Sequence, residues 1–67
     1  MVDFTRLRNI IKESGMTIKA VAEKSGIKRE TLYNRFAGKG EFTASEITGL
    51  TKTLRLTRQE RDEIFLS

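Results

Sequence analysis

The chain has 67 residues and contains neither cysteine nor histidine. Without thiols there is no disulfide framework, and without imidazoles the commonest general base and zinc ligand are missing. We therefore expect no enzyme, no metal site, no cofactor and no small-molecule substrate. No apolar run approaches the roughly 20 residues that span a bilayer, so we expect a single cytoplasmic domain over residues 1–67 that does not associate with membranes.

The net charge of +4 is unevenly distributed along the chain. Residues 1–40 hold nine Lys or Arg and four acidic residues, a balance of +5, whereas residues 41–67 hold four and five, a balance of −1. A basic half on a small domain suggests a polyanionic partner such as nucleic acid. The same charge also serves plain solubility, and charge alone does not decide between the two.

The first predicted element is an amphipathic helix. The chain lacks proline and has no extended strand-like alternation, which favours an all-α fold. Asp3 is a favourable N-cap for this helix, and Gly15 is a favourable residue just after its end. Apolar residues recur between them at three- and four-residue spacing and predict one core-facing stripe, formed by Phe4, Leu7, Ile10 and Ile11.

Residues 17–38 predict two short helices joined by a sharp turn. Thr17 is the expected N-cap of the second helix, which ends at Ser25. Gly26 permits the positive φ angle that a tight helix–helix connection requires. The side chains expected to point inward from this helix and turn are Val21, Ala22 and Ile27.

The third helix is predicted from about residue 28 to 37, with Leu32 and Phe36 four residues apart on its inner face. Its opposite face carries side chains suited to contacting base edges in the DNA major groove. Arg can pair with guanine and Asn with adenine through two hydrogen bonds each, Glu can accept from cytosine, and Tyr can contact a thymine methyl or a phosphate. The predicted base-contacting residues are Lys28, Arg29, Glu30, Tyr33 and Asn34.

Candidate phosphate contacts surround this helix. The second helix directs free backbone N–H groups and a positive dipole end outward at its N-terminus. A loop containing Gly38 follows the third helix and can approach the DNA backbone closely. The predicted phosphate-contacting residues are Thr17, Ile18, Lys19, Arg35, Lys39 and Gly40. We expect six further cations to form an ordinary solvated surface: Lys12, Lys24, Lys52, Arg55, Arg58 and Arg61.

Two capping boxes predict the last two helices. Thr43 with Glu46, and Thr57 with Glu60, fit the pattern in which each side chain bonds the other's free backbone N–H. Five short helices with tight connections are typical of a compact bundle of this size. The predicted helices cover residues 44–54, with Ile47, Leu50 and Leu54 inward, and residues 58–66, with Ile64 and Phe65 inward.

The chain resembles phage repressor and Cro-type helix-turn-helix domains of the XRE-like group. The resemblance is carried by Thr17 as cap, Ala22 at the helix crossing, Gly26 in the turn, Leu32 between the helices, and the closing Gly38. It implies a five-helix lambda-repressor-like fold, a homodimer on a pseudo-palindromic double-stranded operator, and transcriptional repression. It also implies that positions 28, 29, 30, 33 and 34 contact DNA.

Two positions depart from that pattern. Ile18 stands where the family often has a Gln that bonds a phosphate, and its side chain can instead contact a sugar or a thymine methyl. Lys28 stands where a Ser or Thr often caps the third helix, and its ammonium is suited to a phosphate.

The apolar segment 64–66, Ile-Phe-Leu, is the expected source of a dimer interface. Part of it is expected to pack on the first helix and the remainder to form a weak homodimer, which would reach a second half-site about 34 Å away. The alternative is a helix-turn-helix module that binds a separate phage repressor and modulates it.

Overall fold

The computed structural model describes residues 1–66, and over this range the backbone forms five α-helices and no β-strand. The all-α, five-helix prediction is confirmed. The third helix is one residue shorter at each end than predicted, and the fifth ends one residue earlier. No helix in the described range is long and apolar enough to cross a membrane. The helices are α1 (Phe4–Ser14), α2 (Ile18–Ser25), α3 (Arg29–Phe36), α4 (Ala44–Leu54) and α5 (Arg58–Phe65).

Side-chain caps fix where four of the five helices begin. The oxygens of these cap side chains accept hydrogen bonds of 3.0 to 3.2 Å from the backbone N–H three residues later. Each such cap typically stabilises its helix by about 1 kcal/mol. Both predicted capping boxes are present, and α3 is the helix without a side-chain cap. The capping residues are Asp3, Thr17, Thr43 and Thr57.

A tight turn sets the direction of α3 relative to α2. Gly26 has a φ of 74°, in the left-handed region where a residue with a Cβ is strained. The backbone N–H of Ile27 then donates to the carbonyl of Ala22 at 2.9 Å, and the Ile27 side chain is buried. The predicted bend at residue 26 is therefore confirmed, and Ile27 anchors the start of α3 to the core.

The hydrophobic core takes side chains from all five helices. The inward positions predicted for α2 and α3 are confirmed at Val21, Ala22 and Leu32, which have no exposed surface, while Phe36 is half-buried. Phe42 was not predicted to be a core residue, yet its ring packs edge-on against that of Phe65 at 5.3 Å. The buried apolar residues are Leu7, Ile11, Val21, Ala22, Ile27, Leu32, Leu50, Leu56, Ile64 and Phe65.

The closest approach between helices is the crossing of α2 on α4. A Cβ added at Gly49, in the middle of α4, would overlap the carbonyl oxygen of Ser25 at the end of α2. The Ser25 hydroxyl also donates a 3.0 Å hydrogen bond to the hydroxyl of Thr53, one turn further along α4. Gly49 therefore does not serve flexibility. Its missing side chain lets two backbones touch.

We expect Gly49→Ala to lower the free energy of unfolding by about 1 to 3 kcal/mol, because the new methyl group forces α2 and α4 apart. At an exposed helical site the same change stabilises by about 0.5 to 1 kcal/mol. Thr48→Ala, at the exposed neighbouring position, is the control and should change stability by less than about 0.5 kcal/mol. Urea unfolding of both variants provides the measurement. A Gly49→Ala protein as stable as the wild type would contradict the close contact.

Polar contacts tie α5 to the start of the chain. Arg6 Nη1 forms an ion pair of 2.6 Å with Glu63 Oε1, and the backbone N–H of Asp3 donates to the carbonyl of Ile64 at 2.8 Å. The hydrogen bond from Arg6 holds the pKa of the Glu63 carboxyl below its ordinary value. Hydrogen bonds from the backbone and side chain of Thr57 lower the pKa of Glu60 in the same direction.

These two lowered pKa values predict a loss of stability in acid. A carboxyl whose pKa is lower in the folded than in the unfolded protein stabilises the fold at pH values above the pKa of the unfolded state. For Glu that pKa is about 4.3, and the stabilisation is lost as the pH falls below it. The double variant Glu60→Gln/Glu63→Gln should therefore show a flatter dependence of melting temperature on pH between about 5 and 3. Gln retains the acceptor for the capping box. Glu13→Gln/Glu23→Gln, at exposed sites on α1 and α2, controls for the loss of two negative charges. Equal pH profiles in all three proteins would refute the assignment.

Candidate nucleic-acid interface

All five predicted base-contacting residues lie on α3 or at its N-cap, Lys28. Four of them are exposed polar or charged side chains, and the Tyr33 side chain, half exposed at 52%, stands beside them. Leu32 on the opposite face is fully buried, so the helix rests on the core with its polar face outward. Within residues 1–66 none of the five side chains takes part in a hydrogen bond or an ion pair. They are Lys28, Arg29, Glu30, Tyr33 and Asn34.

The N-terminus of α2 differs electrostatically from the other helix starts. Of the five helices in the described range, α2 alone has neither an acidic cap nor an acidic residue in its first turn. Thr17 and Lys19 are exposed there, and Ile18 is half-buried. The Thr17 hydroxyl oxygen accepts from the backbone N–H of Ala20 at 3.1 Å. The positive end of the helix dipole is thus left uncompensated, which favours a bound anion.

Arg35 occupies a different environment from the other predicted phosphate contacts. Its Nε and Nη2 bond the two carboxylate oxygens of Glu46 at 3.2 Å each, and its Nη1 donates to the carbonyl of Lys39 at 3.2 Å. The two side chains are only 18% and 15% exposed. The guanidinium fork therefore clamps the end of α3 and the following loop to the start of α4.

The loop after α3 brings Lys39 and Gly40 close to the C-terminal end of that helix. The backbone N–H of Lys39 donates to the carbonyl of Asn34 at 2.8 Å, and the Lys39 side chain is exposed. Glu46 holds this loop from the other side, because its carboxylate also accepts the backbone N–H of Thr43 at 3.0 Å. From the sequence, Glu46 was expected only to cap α4. Its pairing with Arg35 joins residues 11 positions apart and has no local signal.

Arg8 and Lys12 also neighbour this surface, which was not expected from the sequence. Together with Met16, Ile18 and Tyr33 they line an open groove of about 410 Å³ between α1, α2 and α3. The guanidinium carbon of Arg8 lies 5.2 Å from the centre of the Phe36 ring, a cation–π arrangement. The four-residue spacing of Arg8 and Lys12 places both on one face of α1, and that spacing is the signal that could have identified them.

The expected dimer segment is largely part of the monomer core. Ile64 is fully buried and Phe65 is 7% exposed, whereas Leu66 is 69% exposed. Leu66 borders a second concave surface, of about 420 Å³, that includes Val2 and Phe42. The segment therefore contributes one side chain, not three, to any apolar surface left for a partner, and the homodimer stays a prediction.

Comparison with known proteins agrees with this geometry. A helix-turn-helix family model matches residues 7–61, a range that contains α2, the turn at Gly26 and α3. No curated protein and no solved structure gives a significant match. The matched range covers 55 of the 67 residues. The chain belongs to the helix-turn-helix family of DNA-binding domains, of the type found in Cro and phage repressors.

Proposed function

We propose that this protein binds double-stranded DNA at a specific sequence and acts as a transcriptional repressor of the phage or mobile-element kind. The observation that carries the proposal is the exposed surface of α3 and its N-cap, where five polar side chains have no partner within residues 1–66. None of these side chains makes a hydrogen bond or an ion pair that holds the fold together in this range. Left unpaired on a helix narrow enough for the major groove, they are available to base edges.

In the proposed complex α3 lies in the major groove. Arg29 and Asn34 have the geometry for two-hydrogen-bond contacts to guanine and adenine, and Glu30 can accept from cytosine. Tyr33 contacts a thymine methyl or a phosphate, and Lys28 at the start of the helix adds charge near the backbone. In this arrangement the preference for one DNA sequence comes from the base contacts made by α3.

Phosphate contacts position α3 in the groove. The acid-free N-terminus of α2 supplies the uncompensated N–H groups around Thr17 and Ile18, with Lys19 beside them. Lys39 and Gly40 hold the backbone on the far side of α3. Because Arg35 is already committed to Glu46, we propose that it acts chiefly by fixing this loop.

A helix-turn-helix unit of this size covers one half-site, so we propose a weak homodimer on a pseudo-palindromic operator. The exposed Leu66 and the concave surface around Val2 and Phe42 are the apolar surface available for it. A dimer bound across a promoter represses by excluding the polymerase.

Selection of binding sites from random DNA, followed by footprinting, tests the proposal. We expect a defined sequence with two inverted half-sites about one helical turn apart. A single half-site would support DNA binding by a monomer. If the protein retards no duplex at low salt but alters the complex of a separate repressor, the alternative of a protein-binding module replaces the proposal.

We expect Arg29→Ala to weaken binding to the selected site by about 1 to 3 kcal/mol and to relax the preference at one base position. The reason is the loss of a two-hydrogen-bond contact to a base. Binding to random DNA should fall much less. Competition measurements on the selected site and on single-base variants give the readout. Equal losses on specific and random DNA would show that Arg29 contacts phosphate only.

Arg35 and Lys39 should differ in how their removal acts. Arg35→Gln breaks the partly buried pair with Glu46 and should lower the free energy of unfolding by about 1 to 3 kcal/mol, with the salt dependence of DNA binding unchanged. Lys39→Gln should leave stability within about 0.5 kcal/mol and flatten the plot of log K against log salt by about one unit. A similar flattening by Arg35→Gln would mean that Arg35 reaches a phosphate after all.

A further inference from the structure

The groove between α1, α2 and α3 has an apolar floor and a cationic rim. Met16 and Ile18 are half-buried and line its interior, whereas Arg8 and Lys12 are exposed along its α1 side. Tyr33, at the end of the groove nearest the outer face of α3, belongs to both surfaces. The groove therefore continues the proposed DNA interface and is not a separate site on the molecule.

The two cations on the rim have no acidic partner. Within residues 1–66, ion pairs are formed by Arg6 with Glu63, by Arg35 with Glu46, and by Arg61 with Asp62. Neither Arg8 nor Lys12 is among them. Arg8 instead lies over the Phe36 ring, a contact that restrains the guanidinium without neutralising its charge. Both cations thus lie at the edge of the groove without an ion-pair partner within residues 1–66.

We propose that this groove binds the sugar–phosphate backbone of DNA beyond the contacts at the N-terminus of α2, an inference that rests on the proposed function. Deoxyribose packs against Met16 and Ile18, and successive phosphates bind Lys12 and Arg8. Residues four apart on a helix have Cβ atoms about 5 to 6 Å apart, and these long side chains can reach neighbouring phosphates of one strand.

The pattern of the groove favours a nucleic-acid strand over a peptide. A strand alternates an apolar sugar with an anionic phosphate, which matches an apolar floor beside a row of unpaired cations. An apolar peptide would fill the groove, but it would remove water from Arg8 and Lys12 without supplying a negative charge to pair with them. The aliphatic side chain of Ile18 contributes to the apolar floor of the groove.

The test measures how DNA affinity depends on salt. Lys12→Gln removes one exposed charge and no contact within residues 1–66, so it is the primary variant, and Arg8→Gln is the second. Lys52→Gln is the matched control, because Lys52 is exposed and does not line the groove. Each protein is titrated with the selected operator and with a random-sequence duplex of the same length, and its melting temperature is recorded.

We expect the slope of log K against log salt to fall by about 0.9 for each groove variant, the value for one phosphate contact, and to do so equally on both duplexes. Ethylation interference should lose one phosphate at the outer edge of the site with Lys12→Gln. The Lys52→Gln slope should match the wild type.

A Lys12→Gln slope equal to that of Lys52→Gln, with wild-type binding intact, would overturn the groove proposal and leave the proposed function standing. Binding of a protein segment in the groove, with no effect of Lys12→Gln on DNA, would overturn it in the same way. Failure of the wild type to bind any duplex at low salt would overturn both. Arg8→Gln adds support only if its melting temperature stays near that of the wild type, while Lys12→Gln decides the question by itself.

Discussion

The direct contact between α2 and α4 is the constraint on which the rest of the structure depends. The two helices can touch because Gly49 presents no side chain to the carbonyl of Ser25. Only two residues, Gly26 and Ile27, separate this contact from the N-cap of α3. Fixing the end of α2 on α4 therefore fixes where α3 starts and the direction in which it points.

The other end of α3 is fixed by charge. The Arg35–Glu46 pair is shielded from solvent and bidentate, so it is directional as well as attractive. Glu46 belongs to the capping box of α4, and the clamp therefore transfers the position of α4 to the last turn of α3. Since α4 also sets the start of α3 through the Gly49 contact, α4 positions both ends of α3, the helix proposed to enter the DNA major groove.

The parts of the fold that sequence could predict are those set by local chemistry. The caps at Thr43 and Thr57 and the turn at Gly26 depend on residues within a few positions of one another, and the structure has them where they were expected. The missed features depend on distant partners. Gly49 sits inside a helical pattern where its absent side chain has no visible purpose, and Arg35 resembles any other exposed cation until Glu46 is placed beside it.

The contrast between local and distant interactions also explains why the base-contacting residues could be predicted and the dimer surface could not. The five candidate base-contacting residues could be placed at the exposed surface from sequence, because Leu32 marks the buried side of α3 and Lys28 precedes the helix as its N-cap. Whether an apolar residue near a terminus packs inside or meets a partner depends on how much core the rest of the chain supplies. Here the ring of Phe42 packs against that of Phe65, and a chain this small uses nearly all of its apolar side chains before any remain for a dimer.

The helix proposed to contact DNA is the one that depends least on its own sequence for stability. α3 has eight residues and no side-chain cap, and Leu32 is its one fully buried residue, whereas isolated helices shorter than about 12 residues are marginal in water. Its position is set by the turn at Gly26, the Glu46 clamp and the core beneath Leu32. The outward side chains take no part in these contacts, so they can change without loss of the fold, and under the proposed function such changes would alter the DNA sequence preference.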